Sequence, residues 1–265
     1  MSSLVRTLRL VVVGGAMSYR ALFNWTSPPI FIGTLIVSPL FQIFFFVHVG
    51  RTLGVADDRF YLIGNTVLAA SVACVYGGVM AVSKERRCGT LGMVLLSSRA
   101  RIPLWGGRVL PYIANGFLVM AFMLVAGSWA LGVALPLPVL GGVAGTFLIA
   151  AVSCAFFGLV LGAVALRLRD VFVVSNMAFT LLILFSGANL PHEAMPGWMR
   201  GIATVTPMSH AIDALRALFA GATYAEVWPD LAAEGALALG YAVLALGLLR
   251  YFEWRSRATA SLDVA

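Results

Sequence analysis

Asp213 and Arg216 lie three residues apart, a spacing that puts opposite charges on one face of a helix. In poorly hydrated surroundings such a pair can hold a short helix in place, because a lone charge there is costly. On a solvated surface the same pair is worth about 0–1 kcal/mol. A second charged cluster, Lys84-Glu85-Arg86-Arg87, opens a stretch that runs past Arg99 and Arg101 to Gly107 and Arg108. Other kinds of chemistry lack their residues. A phosphate-cradling loop needs G-x-x-x-x-G-K-[ST], whose lysine reaches the β/γ-phosphates. The sole lysine, Lys84, sits between Ser83 and Glu85. The chain should therefore hold no ATP of its own and should not be an enzyme. His48, His192 and His210 are scattered and form neither H-E-x-x-H nor H-x-x-E-H. Cys74, Cys88 and Cys154 show no C-x-x-C spacing, so no metal or cofactor is expected in this chain.

The elements that must position these groups are set by the solvent. Residues 109–166 contain no Asp, Glu, Lys or Arg. A helix that crosses a bilayer needs roughly 20 mostly apolar residues, so this run is long enough for two spans. Pro136-Leu137-Pro138 and Gly141-Gly142 supply the turn between them. With 61% hydrophobic and 11% charged residues, the 265-residue chain reads as an integral membrane protein with room for about six spans. The net charge of +7 suits topology better than nucleic acid.

Charge-free runs and turn residues predict spans at Ile30–Gly50, Phe60–Val82, Val109–Leu135, Val139–Leu166, Val171–Leu190 and Leu231–Leu249, the last interrupted by Glu234. Basic residues are retained on the cytoplasmic side. With both termini cytoplasmic, only Arg51, Arg59, Arg200 and Arg216 fall outside, which fits an even number of spans. A seventh span at Gly201–Tyr224 would bury Asp213 and Arg216 at its middle, each costing about 2.5–3.5 kcal/mol, and is rejected. Residues 1–27 carry Leu4, Leu8, Val11, Val12, Gly15, Tyr19 and Leu22 near one face, the pattern of an amphipathic helix lying in the interface. In 83–107, Leu91, Val94 and Leu95 at helical spacing predict a short amphipathic helix that can offer an edge to a cytoplasmic partner.

The stretch 186–229 is rich in breakers, among them Pro191, Pro196, Pro207 and Pro229. It predicts two short helices, about Trp198–Val205 and Ser209–Ala220, that dip into the outer leaflet and return. Such broken helices need protein or a watery cavity to satisfy their backbone, which makes this segment a gate or lid candidate. Asn65, Thr66, Ser71 and Tyr76 in the second span, with Ser175, Asn176, Thr180 and Ser186 in the fifth, either bond between helices or line a path. Phe41, Phe44, Phe45 and Phe46 face either substrate or lipid. The expected architecture is thus one all-α domain, 1–265, with six transmembrane helices, an interfacial N-terminal helix, a cytoplasmic coupling segment and an external re-entrant segment.

These residues resemble a family. Phe185-Ser186-Gly187, followed by Pro191, Pro196 and Trp198, resembles the F-S-G-x-x-x-P-x-x-x-h-P-x-W-h signature (h apolar) of type-2 ABC exporter permeases. Thr206-Pro207 through Asp213 and Arg216 is similar to that family's N-P-h-[ST]-x-h-h-[DE]-x-h-R. Glu85, Arg86, Gly89, Thr90, Leu91 and Leu95 resemble its coupling-helix motif E-[RK]-x-x-G-T-L-E-x-L-L, with Arg101 and Gly107-Arg108 following in order. Gly92, Ser98 and Thr206 depart from the usual acidic residue, proline and asparagine.

The resemblance implies a bacterial inner-membrane permease of the drug, nodulation-factor and polysaccharide exporter group. It implies a second permease subunit, membrane lipid around it, and a separate ATPase subunit that binds ATP and Mg. Glu85, Arg86, Gly89, Thr90, Leu91, Leu95 and Arg101 would then couple to the ATPase. Asn65, Ser71, Tyr76, Asn176, Thr180 and Phe185 would border the substrate path. Pro191, Pro196, Trp198, Pro207, Asp213 and Arg216 would form the external gate. The alternatives are a membrane-embedded lipid-modifying enzyme, for which no converging His, Asp or Glu set can be assembled, and a structural membrane subunit.

Overall fold

The computed structural model describes residues 9, 11–17, 28–54, 56–87, 89–90, 101–135, 137–166 and 171–259, and among them every regular element is a helix. Helix α1 (Pro28–Ile32) opens with two prolines, tolerated in a first turn whose N–H groups have no helical partner. It continues through a π-helical turn, Gly33–Val37, into α2 (Ser38–Leu53). Pro39 lacks the N–H that would reach back four residues, and the widened turn falls just before it. Helix α2 stops at Gly54, whose φ of 63° is the left-handed conformation glycine favours.

Helix α3 (Asp58–Arg87) is the most enclosed of the long helices. Around it stand α4 (Arg101–Leu131), α5 (Leu140–Ala165) and α6 (Val171–Phe185). Two short helices follow, α7 (Gly197–Ala203) and α8 (Ser209–Phe219), and then α9 (Tyr224–Thr259). The α3–α5 crossing is backbone on backbone. A Cβ on Gly158 would stand 2.4 Å from the Val75 carbonyl oxygen, and one on Gly78 would stand 2.4 Å from that of Ala155. Lipid supplies no hydrophobic drive between helices, so close approach through small residues supplies the packing instead. Large apolar side chains such as Phe41, Phe45, Leu118, Val125, Leu239 and Val243 remain on the outside.

Among the described residues, five helices are long and apolar enough to cross a bilayer: Gly33–Leu53, Asp58–Arg86, Pro103–Leu131, Leu140–Ala165 and Tyr224–Phe252. Of the six expected spans, the fifth is not among these. Its described helix, α6, covers 15 residues, about 22 Å against a core of about 30 Å. Its predicted end at Leu190 fails because the chain leaves helical geometry after Phe185, with Gly187 at φ 77° and Pro191 disfavouring helix in the residue before it.

Other boundaries also shift. Helix α3 runs on to Arg87 and α4 starts at Arg101, so both ends of the 83–107 segment belong to long helices. The last helix begins at Tyr224, earlier than expected, with Pro229 inside it. The amphipathic helix carrying Leu91, Val94 and Leu95 lies outside the described residues. Of residues 1–27, position 9 and the stretch 11–17 are described and helical. That stretch lies against the start of α4, where a Cβ on Gly107 would come 2.8 Å from Val11 Cα.

Candidate functional sites at the two ends of the helix bundle

At one end, the first residues of the coupling motif form a helix stop. The Thr90 N–H reaches the Glu85 carbonyl at 2.9 Å, and the Gly89 N–H reaches that of Arg86 at 3.1 Å. This paired return requires a left-handed residue just past the helix, and Gly89 has φ 66°. The Thr90 hydroxyl donates to Glu85 Oε2 at 2.5 Å, and Glu85 Oε1 forms an ion pair with Arg108 Nη1 on α4 at 2.9 Å. The Arg108 guanidinium also lies over the Trp105 ring, 5.1 Å from its centroid. Arg86 Nη1 donates to the Leu166 carbonyl at 2.9 Å, capping the C-terminal end of α5. Glu85, Arg86, Gly89 and Thr90 thus fix where α3 ends and tie α4 and α5 to it. Arg101 opens α4, while Leu91 and Leu95 fall outside the described residues.

At the other end, the break after α6 is satisfied by side chains. Gly64 leaves room for the Ala188 carbonyl, which would stand 2.2 Å from a Cβ there. This contact lies about 9 Å along α3 from its start at Asp58. Arg216 Nη2 donates to the Gly187 carbonyl at 2.8 Å and the Ala188 carbonyl at 3.3 Å, and its guanidinium stacks on Phe60 at 3.6 Å from the ring centroid. Burial lowers the Arg216 pKa to about 10, with Asp213 opposing the shift. Asp213 is nearer to His192 (Oδ2 to Nδ1, 3.0 Å) than to Arg216 (Oδ1 to Nη1, 3.7 Å). The charge pair is therefore real but secondary, since Arg216 bonds most closely to free carbonyls. Arg59 donates to the Phe219 carbonyl at 3.3 Å at the far end of α8. Pro191 and Pro196 precede the turn His192–Ala194 and α7, and the Trp198 ring meets Phe185 edge-on at 6.2 Å. Pro207 lies in the turn between α7 and α8.

The polar residues expected along a path separate into three groups. Asn65 is buried, donating to the Tyr61 carbonyl at 3.0 Å and Asn189 Oδ1 at 2.8 Å while accepting from Gln42 at 3.2 Å. Ser71 is enclosed and donates to the Leu68 carbonyl at 2.6 Å. Asn176 and Thr180, in contrast, lie on the exposed face of α6 with Val173, Met177, Leu181 and Leu184. The Tyr76 hydroxyl donates to Asn176 Oδ1, so that face is anchored to α3.

Glu234 interrupts the last span in the sequence, where its type alone singles it out. It is fully buried, and its Oε1 accepts the Met208 N–H at 2.8 Å, just ahead of α8. An ionisable residue inside a span marks function by default, and that rule was the available signal. Arg108 as the partner of Glu85, and His192 as the partner of Asp213, carry no sequence signal, because each meets its partner only in three dimensions.

Residues 52–246 match the family profile described as ABC-2 family transporter protein. The chain is 26% identical over 167 residues to "Probable multidrug ABC transporter permease YbhR" of Escherichia coli (strain K12), covering 62% of this chain but only 44% of that protein. It is 27% identical over 259 residues to "Daunorubicin resistance ABC transporter permease protein DrrB1" of Streptomyces coeruleorubidus, covering 92% of this chain and 89% of the relative.

Proposed function

The chain belongs to the ABC-2 family of transporter proteins, and from that premise we propose that it is the membrane permease subunit of an ATP-driven exporter. It works in the inner membrane of a bacterium with both termini in the cytoplasm, beside a separate ATPase subunit that holds ATP and Mg. Its substrate is hydrophobic or amphipathic, a drug, a lipid or a lipid-linked glycan. The printed names of the two relatives, multidrug and daunorubicin resistance, favour an amphipathic drug as the first compound to try.

The observation that carries this reading is the different construction of the two ends. One end is covered by short helices, one of which carries the largely shielded Arg216 that holds the free Gly187 and Ala188 carbonyls after α6. At the other, the 83–107 segment leaves α3 through a fixed helix stop and is tied back to α4 by Glu85 and Arg108. Fixed ends on such a segment are what hinging of an ATPase pair needs in order to move the helices. The exposed face of α6, with Asn176 and Thr180 among apolar residues, supports a second permease subunit facing it across the substrate path. Polar groups on such a face are costly against lipid.

Co-reconstitution with the ATPase subunit in proteoliposomes tests the proposal. ATP should drive daunorubicin into inverted vesicles only when both subunits are present. ATP-independent movement, or none across a panel of amphipathic drugs, lipids and glycolipids, overturns it.

A further inference from the structure

Helix α8 is held at both ends, at one by its own Arg216 and at the other by a side chain from elsewhere in the fold. Arg216 ties its C-terminal half to α3 and the break after α6, as described above. The N-terminal end is held by Glu234, which projects from α9, about 15 Å along that helix from Tyr224. Glu234 is 0% exposed, and its Oε1 accepts the N–H of Met208. The Ser153 hydroxyl of α5 and the Ala211 N–H also face the carboxyl. Met208 has φ 70°, a left-handed conformation that is unfavourable for a side chain with a Cβ and is held only where its surroundings demand it. No side chain of α8 or its cap makes a capping bond there, so the cap comes from another helix. The neighbouring turn is also tied to α9, since the Tyr241 hydroxyl donates to the Val205 carbonyl.

We propose that Glu234 is a positioning residue of the gate: by reach rather than by charge, it fastens the N-terminal end of α8 to the last span, so that the two move as one body. The proposal rests on the reading of α7 and α8 as a lid. The carboxyl acts as a hydrogen-bond acceptor for a helix N-terminus, a position where four backbone N–H groups lack helical partners. The groups facing it are Ser153 and Cys154 on α5, His210 on α8 and Tyr241 on α9, and none of them is an Arg or Lys.

Two conservative variants separate reach from charge. E234Q keeps an acceptor oxygen at the same length and loses the acid. E234D keeps the acid and withdraws it by about 1.5 Å, one carbon–carbon bond. The readout is labelling by a membrane-impermeant maleimide in right-side-out vesicles holding the full complex, with Cys88 replaced by Ser and the labelling of each Glu234 background without a reporter subtracted, since Cys74 and Cys154 remain. The reporter is Ser209→Cys, at a position only 1% exposed, and Val205→Cys, at a position 58% exposed, sets the rate of free access.

The labelling ratio of position 209 to position 205 should rise about fivefold in E234D and stay within about twofold of the parent in E234Q, as expected for loss of one ordinary hydrogen bond in local opening. The reverse order, in which E234D is protected and E234Q opens, would mean that the acid matters and would overturn the proposal. Equal behaviour of the two variants, open or protected, overturns it as well. Labelling of both reporters only in inverted vesicles would refute the external placement of the lid, and the reach comparison would still be read there. Daunorubicin carried per ATP hydrolysed should follow the same order, with E234Q near the parent and E234D reduced. If the parent carries none, the drug-export reading fails while the labelling result stands.

Discussion

Glu85 Oε1 lies 2.9 Å from Arg108 Nη1, joining the last turn of α3 to the second turn of α4 across residues 88–100. Both side chains are largely shielded, 21% and 14% exposed, so the pair is not a loose surface contact. Glu85 therefore serves the bundle before it can serve a partner, by fixing where the chain leaves α3 and rejoins α4.

Replacing Glu85 or Arg108 with Ala should destabilise the permease by about 1 kcal/mol, the upper end for an ion pair that is still partly exposed. Substrate moved per ATP hydrolysed should fall in both variants. The exchange of the two, E85R with R108E, should recover part of the loss in a double-mutant cycle read by the melting temperature of the purified complex. Strict additivity of the single variants would show that the two residues act separately.

Gly89 should tolerate little. Its φ of 66° costs a residue with a Cβ about 1–2 kcal/mol. Gly89→Ala is expected to weaken coupling, Gly89→Asn to weaken it less because Asn accepts the left-handed region, and Gly89→Pro to weaken it most by also deleting the N–H given to Arg86. The measurement is ATP hydrolysis and transport side by side at matched expression. Coupling that is the same in all three removes this helix stop from the transmission path.

Much of this architecture could be read along the chain because bilayer physics writes it locally. Charge-free length located α3, α5 and most of α4, and Pro and Gly marked α7 and α8 to within one or two residues. The fifth helix was overestimated because Ser186–Leu190 is apolar enough to continue it, and only Arg216, 26 residues beyond Leu190, makes leaving the helix affordable. Site residues divide in the same way. Glu85, Gly89 and Arg216 stand out by type and motif, whereas their bonding partners depend on packing that no spacing encodes. Asn65 and Asn176 look alike in sequence, yet one is buried in a three-amide chain and the other is exposed.

Asn176 is one of two polar groups on the open face of α6, beside Thr180, and Tyr76 holds it by a hydrogen bond. If that face borders the path, N176L should change the order in which two substrates are preferred while leaving folding intact, and Y76F should give a smaller change in the same direction. Competition between daunorubicin and a second amphipathic drug reads this. An unchanged order with unchanged rates would assign α6 to lipid contact alone.

Arg216 should matter more than its neighbour in sequence. Removing it as R216A strands the Gly187 and Ala188 carbonyls, at about 1–3 kcal/mol for each buried group left unsatisfied. D213N keeps an oxygen for His192 and disturbs only the longer contact, so its effect should be small. R59A should fall nearer to D213N, because Arg59 is exposed and makes one bond of 3.3 Å. R216K should be intermediate, since an ammonium cannot present the planar fork that spans two carbonyls. The exchange D213R with R216D should restore nothing, because the carbonyls would face a carboxylate. The folded pKa of Arg216, about 10, lies below its ordinary 12.5. The folded state therefore loses its proton first, the pH dependence that Arg216 contributes is confined between those values, and the effect of R216A should not change between pH 6 and about 9 through the Arg216 charge. Melting temperatures and outside labelling of cysteines placed at 202–218 would rank the set. If D213N matched R216A, or if the exchange rescued function, the ion pair rather than the carbonyl clasp would be what holds the lid.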